Sequence, residues 1–174
     1  MKLSFRAALA GVCLLAMLFA VRVSHAQEFD GLLHARLISF NQVPSVLSTA
    51  KGVFEGRLNE DGTISFALSY SGLSSPVSGA HIHFGASKTN GGVAVFLCGG
   101  PKPACPASGT ITGTITPADV SVLPATKQDS VIPQGLGPAN LEGLITAIRS
   151  GTTYINVHSA TFPTGEIRGQ VEMQ

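Results

Sequence analysis

From residue 29 onward, apolar and polar side chains alternate in short runs that Gly, Pro, Asn and Ser interrupt. An alternation of period two is typical of strands with one buried face. The first strand is predicted to begin near Phe29, to place Leu33, Ala35 and Leu37 on its apolar face, and to end at Pro44. The same pattern recurs along the chain, which favours an antiparallel sheet.

A hairpin is the clearest local prediction. Residues 53–58 and 63–70 should pair because residues 59–62, Asn-Glu-Asp-Gly, form a turn whose Gly62 tolerates a positive φ. Further strands, each bounded by Gly or Pro, are predicted at residues 77–84, 92–97, 109–116, 153–158 and 166–171.

Two segments depart from the strand pattern. Residues 116–119 resemble a helix start with Pro117 at the first position, and residues 138–150 predict one amphipathic helix. Residues 121–137 are predicted to form a long loop. The sequence therefore predicts an all-β fold: an antiparallel, Greek-key-like β-sandwich or barrel of about eight strands with one or two short helices.

The N-terminus has the pattern of a cleavable secretory signal. A basic start is followed by an uninterrupted apolar run of 15 residues and by Ser24-His25-Ala26, which has small residues where signal peptidase requires them. A membrane anchor is the alternative, but a span needs roughly 20 apolar residues. We expect residues 1–26 to be a signal peptide and residues 27–174 to be one exported domain, secreted or periplasmic.

Charge narrows the class of partner. Without residues 1–26 the chain has 8 basic and 10 acidic residues, a formal net charge of −2. This balance gives no electrostatic basis for binding nucleic acid. We expect an extracytoplasmic ligand or protein of unknown identity as partner, and no membrane span after signal cleavage.

Cys98 and Cys105 remain in this domain, and they flank a Gly- and Pro-rich segment. Disulfides persist in an oxidising compartment, so a local bridge is the prediction. A thiolate metal site is the alternative, although six intervening residues exceed the two to four that usually separate paired zinc cysteines.

Three histidines carry the most informative chemistry. His81 and His83 are two positions apart on a predicted strand, so both imidazoles leave the same face. His158 ends another predicted strand, and Asn156 shares its face. If those strands are neighbours, three imidazoles could converge on copper or zinc. The alternative is a structural role, with each ring nitrogen bonded to a carbonyl, hydroxyl or amide.

Glu166 and Arg168 are also two positions apart on a predicted strand. They indicate a structural ion pair or hydrogen bonds to backbone carbonyls, and an anion-guiding arginine is the functional alternative. No nucleophile motif and no phosphate-binding glycine loop is present in the sequence. A binding protein is therefore expected rather than an enzyme.

Several motifs in joint order resemble the CHRD domain, the module named after chordin. They include Gln42-Val43-Pro44, residues 80–85 (Ala-His-Ile-His-Phe-Gly), residues 154–159 (Tyr-Ile-Asn-Val-His-Ser) and residues 165–170 (Gly-Glu-Ile-Arg-Gly-Gln). The resemblance covers roughly residues 29–172. Gln42 departs from it, since the family usually carries an acidic residue there.

This resemblance implies an extracellular or exported binding domain. An animal-type growth-factor role would need companion cysteine-rich modules, which this sequence does not contain. In their order along the chain, His81, His83 and His158 also resemble copper ligands of the copper-zinc superoxide dismutase sandwich. The zinc-binding loop of that enzyme is missing from this sequence. The prediction is thus an exported CHRD-type binding module of undefined ligand. The alternative is a copper- or zinc-binding protein, redox-active if the metal is copper.

Overall fold

The computed structural model describes residues 31–174, so the predicted signal peptide and the predicted start of the first strand near Phe29 lie outside the described residues. The strands are β1 (Leu32–Ile38), β2 (Lys51–Leu58), β3 (Ile64–Ser71), β4 (Val77–Phe84), β5 (Gly92–Cys98), β6 (Gly109–Ile115), β7 (Thr153–Ser159), β8 (Ile167–Gln170) and β9 (Glu172–Met173). One α-helix, α1 (Leu141–Arg149), lies between β6 and β7.

The strands form one antiparallel sheet in the order β5-β4-β7-β8-β1-β2-β3-β6, and the short β9 pairs with β1. The sheet curls into a nearly closed barrel of eight strands. The all-β prediction is therefore confirmed. Strand β8 lies between β7 and β1 and pairs with both of them.

Inward-facing side chains fill the barrel, as strand alternation requires. Leu33, Ala35 and Leu37 of β1 are buried, which agrees with the predicted apolar face. Ile82 of β4 and Ile155 of β7 point into the same core. The core therefore fixes which residues of β4 and β7 must face outward, and the histidines are among them.

The 3-10 turn Ser39–Asn41 ends β1 at Ile38, so the prediction that this strand runs to Pro44 is wrong. The backbone N–H of Gln42 donates to the Ser39 carbonyl and closes that turn. The last predicted strand, residues 166–171, corresponds to β8, and the short β9 that follows it was not predicted. Between the two, the Val171 N–H donates to the Thr153 carbonyl.

The two predicted helices have different outcomes. Residues 138–150 contain α1, with Asn140 as its N-cap and four apolar residues buried on one face: Leu141, Leu144, Ile145 and Ile148. The helix start at residues 116–119 is only the single 3-10 turn Pro117–Asp119, closed by a capping box between Thr116 and Asp119. The predicted loop of residues 121–137 contains one further 3-10 turn, Ile132–Gln134.

Cys98 and Cys105 form a disulfide, with Cα atoms 5.1 Å apart, as predicted. The bridge closes the loop that leaves β5, and Cys98 itself is buried in the core. Within residues 31–174, no helix combines the length and the apolar character needed to cross a membrane.

Candidate functional site

Strands β4 and β7 lie side by side and bring the predicted site residues together. His81 is opposite Asn156, and His83 is opposite Tyr154. His158 follows two positions after Asn156, so its side chain leaves the same outer face of the sheet. The condition on which the three-histidine prediction depended, that these strands are neighbours, is met.

The three imidazoles form one cluster. Nδ1 of His81 lies 3.1 Å from Nε2 of His158, and one ligand atom from each ring lies within 4.8 Å of those from the other two. The ring of His83 has its centroid 5.6 Å from that of His81 and 5.9 Å from that of His158. His83 is buried, and the other two are half-buried.

Backbone carbonyls orient two of the rings. Nδ1 of His83 is 2.9 Å from the carbonyl oxygen of Gly91, and Nδ1 of His158 is 2.9 Å from that of Pro163. A carbonyl can only accept, so each Nδ1 carries the proton and each Nε2 keeps a lone pair. Nε2 of His83 is buried and has no hydrogen-bond partner in the described part of the chain.

The surroundings keep the rings uncharged near neutral pH. Burial, followed by the neighbouring His158 and His83, lowers the pKa of His81 from 6.5 to about 3. Burial lowers the pKa of His83 to about 4, against the Gly91 hydrogen bond, which favours the charged form. Burial also lowers the pKa of His158, while its bond to Pro163 and the charge of Asp129 oppose that shift.

The cluster opens into a cavity of about 430 Å³. Loop residues form its outer wall, including Asn90, Gln128, Asp129 and Thr164. Asp129 is exposed and, of the residues that the structure describes, is the single acidic one that lines this cavity. A cation that enters would therefore pass one carboxylate and reach three uncharged imidazoles.

An aromatic and cationic stack supports His83. Its ring lies parallel to that of Tyr154, with centroids 4.8 Å apart and planes 5° from parallel. The guanidinium carbon of Arg168 is 3.4 Å from the Tyr154 ring centroid. Because β7 lies between β4 and β8, His83 and Arg168 approach Tyr154 from opposite sides. Arg168 therefore lies behind Tyr154 as seen from His83, and its positive charge helps to lower the pKa of His83.

Asn156 secures the loops around the cluster and does not join the imidazoles. Its Oδ1 accepts a 2.6 Å hydrogen bond from Nε2 of Gln42, and its Nδ2 donates to the Thr164 carbonyl at 3.3 Å. Gln42, the position at which the chain departs from the family pattern, is thus a buried amide that ties the segment after β1 to β7.

Glu166 and Arg168 do not pair with each other. Among residues 31–174 the single salt bridge joins Lys102 to Asp119. Glu166 is 0 % exposed and its carboxylate accepts from the hydroxyls of Ser48, Ser74 and Ser159 at 2.6, 2.9 and 2.5 Å. The ion-pair interpretation is therefore wrong. Arg168 instead donates to the Ala86 carbonyl, the second interpretation that the sequence left open.

The sequence interpretation missed several residues that shape the cluster. The backbone of Gly91 holds both His83 and the Tyr154 hydroxyl, and the Phe96 ring meets the His81 ring edge-on with centroids 4.5 Å apart. A Cβ at Gly91 would overlap the Phe84 carbonyl oxygen, which explains the glycine. The Asn90-Gly91-Gly92 turn signal was visible in the sequence, but its contact with His83 depends on the β4–β5 register.

The sequence model of the CHRD domain matches residues 33–171, which includes the histidine cluster and nearly all of the barrel. Comparisons with curated proteins and with solved structures give no significant match. The family resemblance is confirmed over most of the chain. This chain belongs to the CHRD domain family.

Proposed function

We propose that this CHRD domain is an exported binding module whose ligand is a transition-metal ion, copper or zinc, held by His81, His83 and His158. The observation that carries the proposal is the buried Nε2 of His83, which has a lone pair and no partner inside a cluster of imidazoles. A buried polar atom without a partner costs about 1–3 kcal/mol, and a bound metal would remove that cost.

The donor set suits these metals. Imidazole nitrogen is a preferred ligand of both copper and zinc. Two nitrogens bound to one zinc are at most about 4.2 Å apart, twice the Zn–N distance of about 2.1 Å. The ligand atoms here are within 4.8 Å of one another, so small side-chain rotations suffice.

Charge state supports the same proposal. Metal binding needs deprotonated imidazoles, because a proton and a metal compete for the same lone pair. Since burial lowers the pKa of all three histidines, they are ready to bind near neutral pH without losing a proton. Carbonyl bonds to the far nitrogens of His83 and His158 resemble the outer partners that commonly orient metal-bound histidines.

A structural role for the histidines is the competing account, and part of the geometry fits it. The bonds to Gly91, to Pro163 and between His81 and His158 satisfy most of the ring nitrogens. A purely structural role leaves the buried Nε2 of His83 without a partner and unexplained. The two accounts differ in what the purified protein does with added metal.

Calorimetric titration with Zn²⁺ and Cu²⁺ separates them, on protein purified without a histidine tag. We expect one equivalent to bind to the wild type, and binding at least about a hundredfold weaker in His83→Ala, a loss of about 2.7 kcal/mol. His34→Ala is the matched control, because His34 lies on β1 opposite Glu55 and outside the cluster. Equal binding by His83→Ala and His34→Ala would refute the proposal.

A further inference from the structure

A second cavity lies on the other side of Tyr154 from the histidines, and a buried arginine lines it. Arg168 is 2 % exposed. Its guanidinium donates to the Ala86 carbonyl at 3.1 Å and to Oδ1 of Asn90 at 3.4 Å, and stacks on Tyr154. No carboxylate of residues 31–174 forms a salt bridge with it.

A buried cation without a counter-charge is costly. Buried charges in proteins are normally paired, because neutral hydrogen-bond acceptors do not restore the solvation that burial removes. The two acceptors of Arg168 are both uncharged, and the longer bond is weak at 3.4 Å. The positive charge of the Arg168 guanidinium is therefore available to pair with a bound anion.

The cavity next to Arg168 has a volume of about 370 Å³, and its lining includes a cationic wall, an apolar wall and several uncharged polar side chains. Arg168 and Lys88 supply two positive charges, and no acidic residue within 31–174 lines the cavity. Phe40, Val43 and Pro44 supply an apolar wall, and the Phe40 ring is 60 % exposed. An occupant that matches both walls has an anionic group joined to an apolar body.

We propose that this cavity is a binding site for a small organic acid, whose carboxylate pairs with Arg168 and Lys88 while its apolar body packs against Phe40, Val43 and Pro44. The guanidinium fork matches a carboxylate, which can accept two parallel hydrogen bonds. One face of the guanidinium already covers Tyr154, so the carboxylate approaches its edge. The proposal does not rest on metal binding, and no described residue lines both this cavity and the histidine cavity.

An NMR titration of backbone amide shifts tests the site with cyclohexanecarboxylate as the probe, at constant ionic strength. The neutral cyclohexanecarboxamide has nearly the same shape and serves as the matched probe. We expect saturable shifts at Val43 and Lys88 with the carboxylate, and none that saturate with the amide. Saturation by both probes alike, or by neither, would overturn the proposal.

Variants that remove one positive charge show which side chain binds the carboxylate of the probe. Arg168→Gln should weaken carboxylate binding at least about tenfold and Lys88→Gln about threefold, because charged hydrogen bonds contribute most of the affinity. Arg149→Gln is the control, an exposed cation at the end of α1, and should bind as the wild type does. If Arg168→Gln does not fold, Lys88→Gln decides, since this residue is exposed. Unchanged binding in Lys88→Gln would then contradict the proposal.

Discussion

Nδ1 of His81 lies 3.1 Å from Nε2 of His158, although the two residues are 77 positions apart in the sequence. Since Nδ1 of His158 donates to Pro163, its Nε2 accepts, and His81 must donate from Nδ1. This one hydrogen bond closes the cluster. A metal ion in the cluster has to replace it, so the site has a defined metal-free form.

The first prediction concerns the dependence of stability on pH. Burial gives His81 and His83 folded-state pKa values of about 3 and 4, below the 6.5 of an exposed histidine. Between the folded-state pKa and 6.5, the unfolded chain therefore binds more protons than the folded chain does. The free energy of unfolding should decrease as pH falls below 6.5. For His83 the loss should approach about 1.4 kcal/mol per pH unit.

Urea unfolding at pH 7 and about one unit below the ordinary histidine pKa measures this loss. His83→Asn should reduce the difference between the two conditions, while His34→Asn, outside the cluster, should leave it as in the wild type. A wild type that is equally stable at both pH values would contradict the burial of uncharged imidazoles.

The second prediction tests the stack beneath His83. Tyr154→Leu removes the ring that lies between His83 and Arg168, so the domain should lose about 2–4 kcal/mol of unfolding free energy and metal affinity should fall. Tyr154→Phe keeps the ring and loses only the hydroxyl contact with Gly91, so about 1 kcal/mol is expected. Equal losses in the two variants would show that stacking does not stabilise the cluster.

The strands were predictable because their alternation is local. Val77–Phe84 has the predicted bounds, and the 53–58 and 63–70 hairpin forms around Gly62, whose φ is 80°. The end of β1 was not evident from the alternation pattern, because the 3-10 turn at Ser39 is held by individual hydrogen bonds. Gln42 N–H donates to the Ser39 carbonyl, and Ser39 Oγ donates to the Ser48 carbonyl nine positions further on.

Part of the candidate site was also local. The shared face of His81 and His83 follows from strand geometry alone. The approach of His158 needed the β4–β7 pairing, and the orienting carbonyls of Gly91 and Pro163 carry no side-chain signal. The Glu166 prediction failed because two of its three hydroxyl partners, Ser48 and Ser74, are 118 and 92 positions away in the sequence.

The third prediction uses that network. Burial raises the pKa of Glu166, but hydrogen bonds from Ser159, Ser48 and Ser74 outweigh this effect and leave the pKa below its usual value. Glu166→Ala leaves these three hydroxyls without their acceptor, so we expect a loss of about 3 kcal/mol or more in unfolding free energy. Metal stoichiometry should not change in the folded fraction, since Glu166 is outside the histidine cluster. Lost metal binding in a folded Glu166→Ala protein would contradict this separation of roles.

The fourth prediction concerns the disulfide. A double Cys98→Ser, Cys105→Ser variant should lose about 2–3 kcal/mol of stability, because the bridge restricts the unfolded chain over a short loop. The three histidines should still bind metal, since neither cysteine lines their cavity. Chemical denaturation with a parallel zinc titration checks both results, and an undiminished unfolding free energy would contradict the stabilising role of the bridge.

The central claim is that one metal ion sits among three imidazoles, and anomalous diffraction from crystals soaked with Zn²⁺ tests it most directly. We predict a single strong peak about 2.0–2.1 Å from Nε2 of His83, with His81 and His158 completing the protein ligands. Data collected on both sides of the zinc edge identify the element. A well-occupied peak elsewhere, with the His81–His158 hydrogen bond intact and the cluster unchanged, would contradict the account.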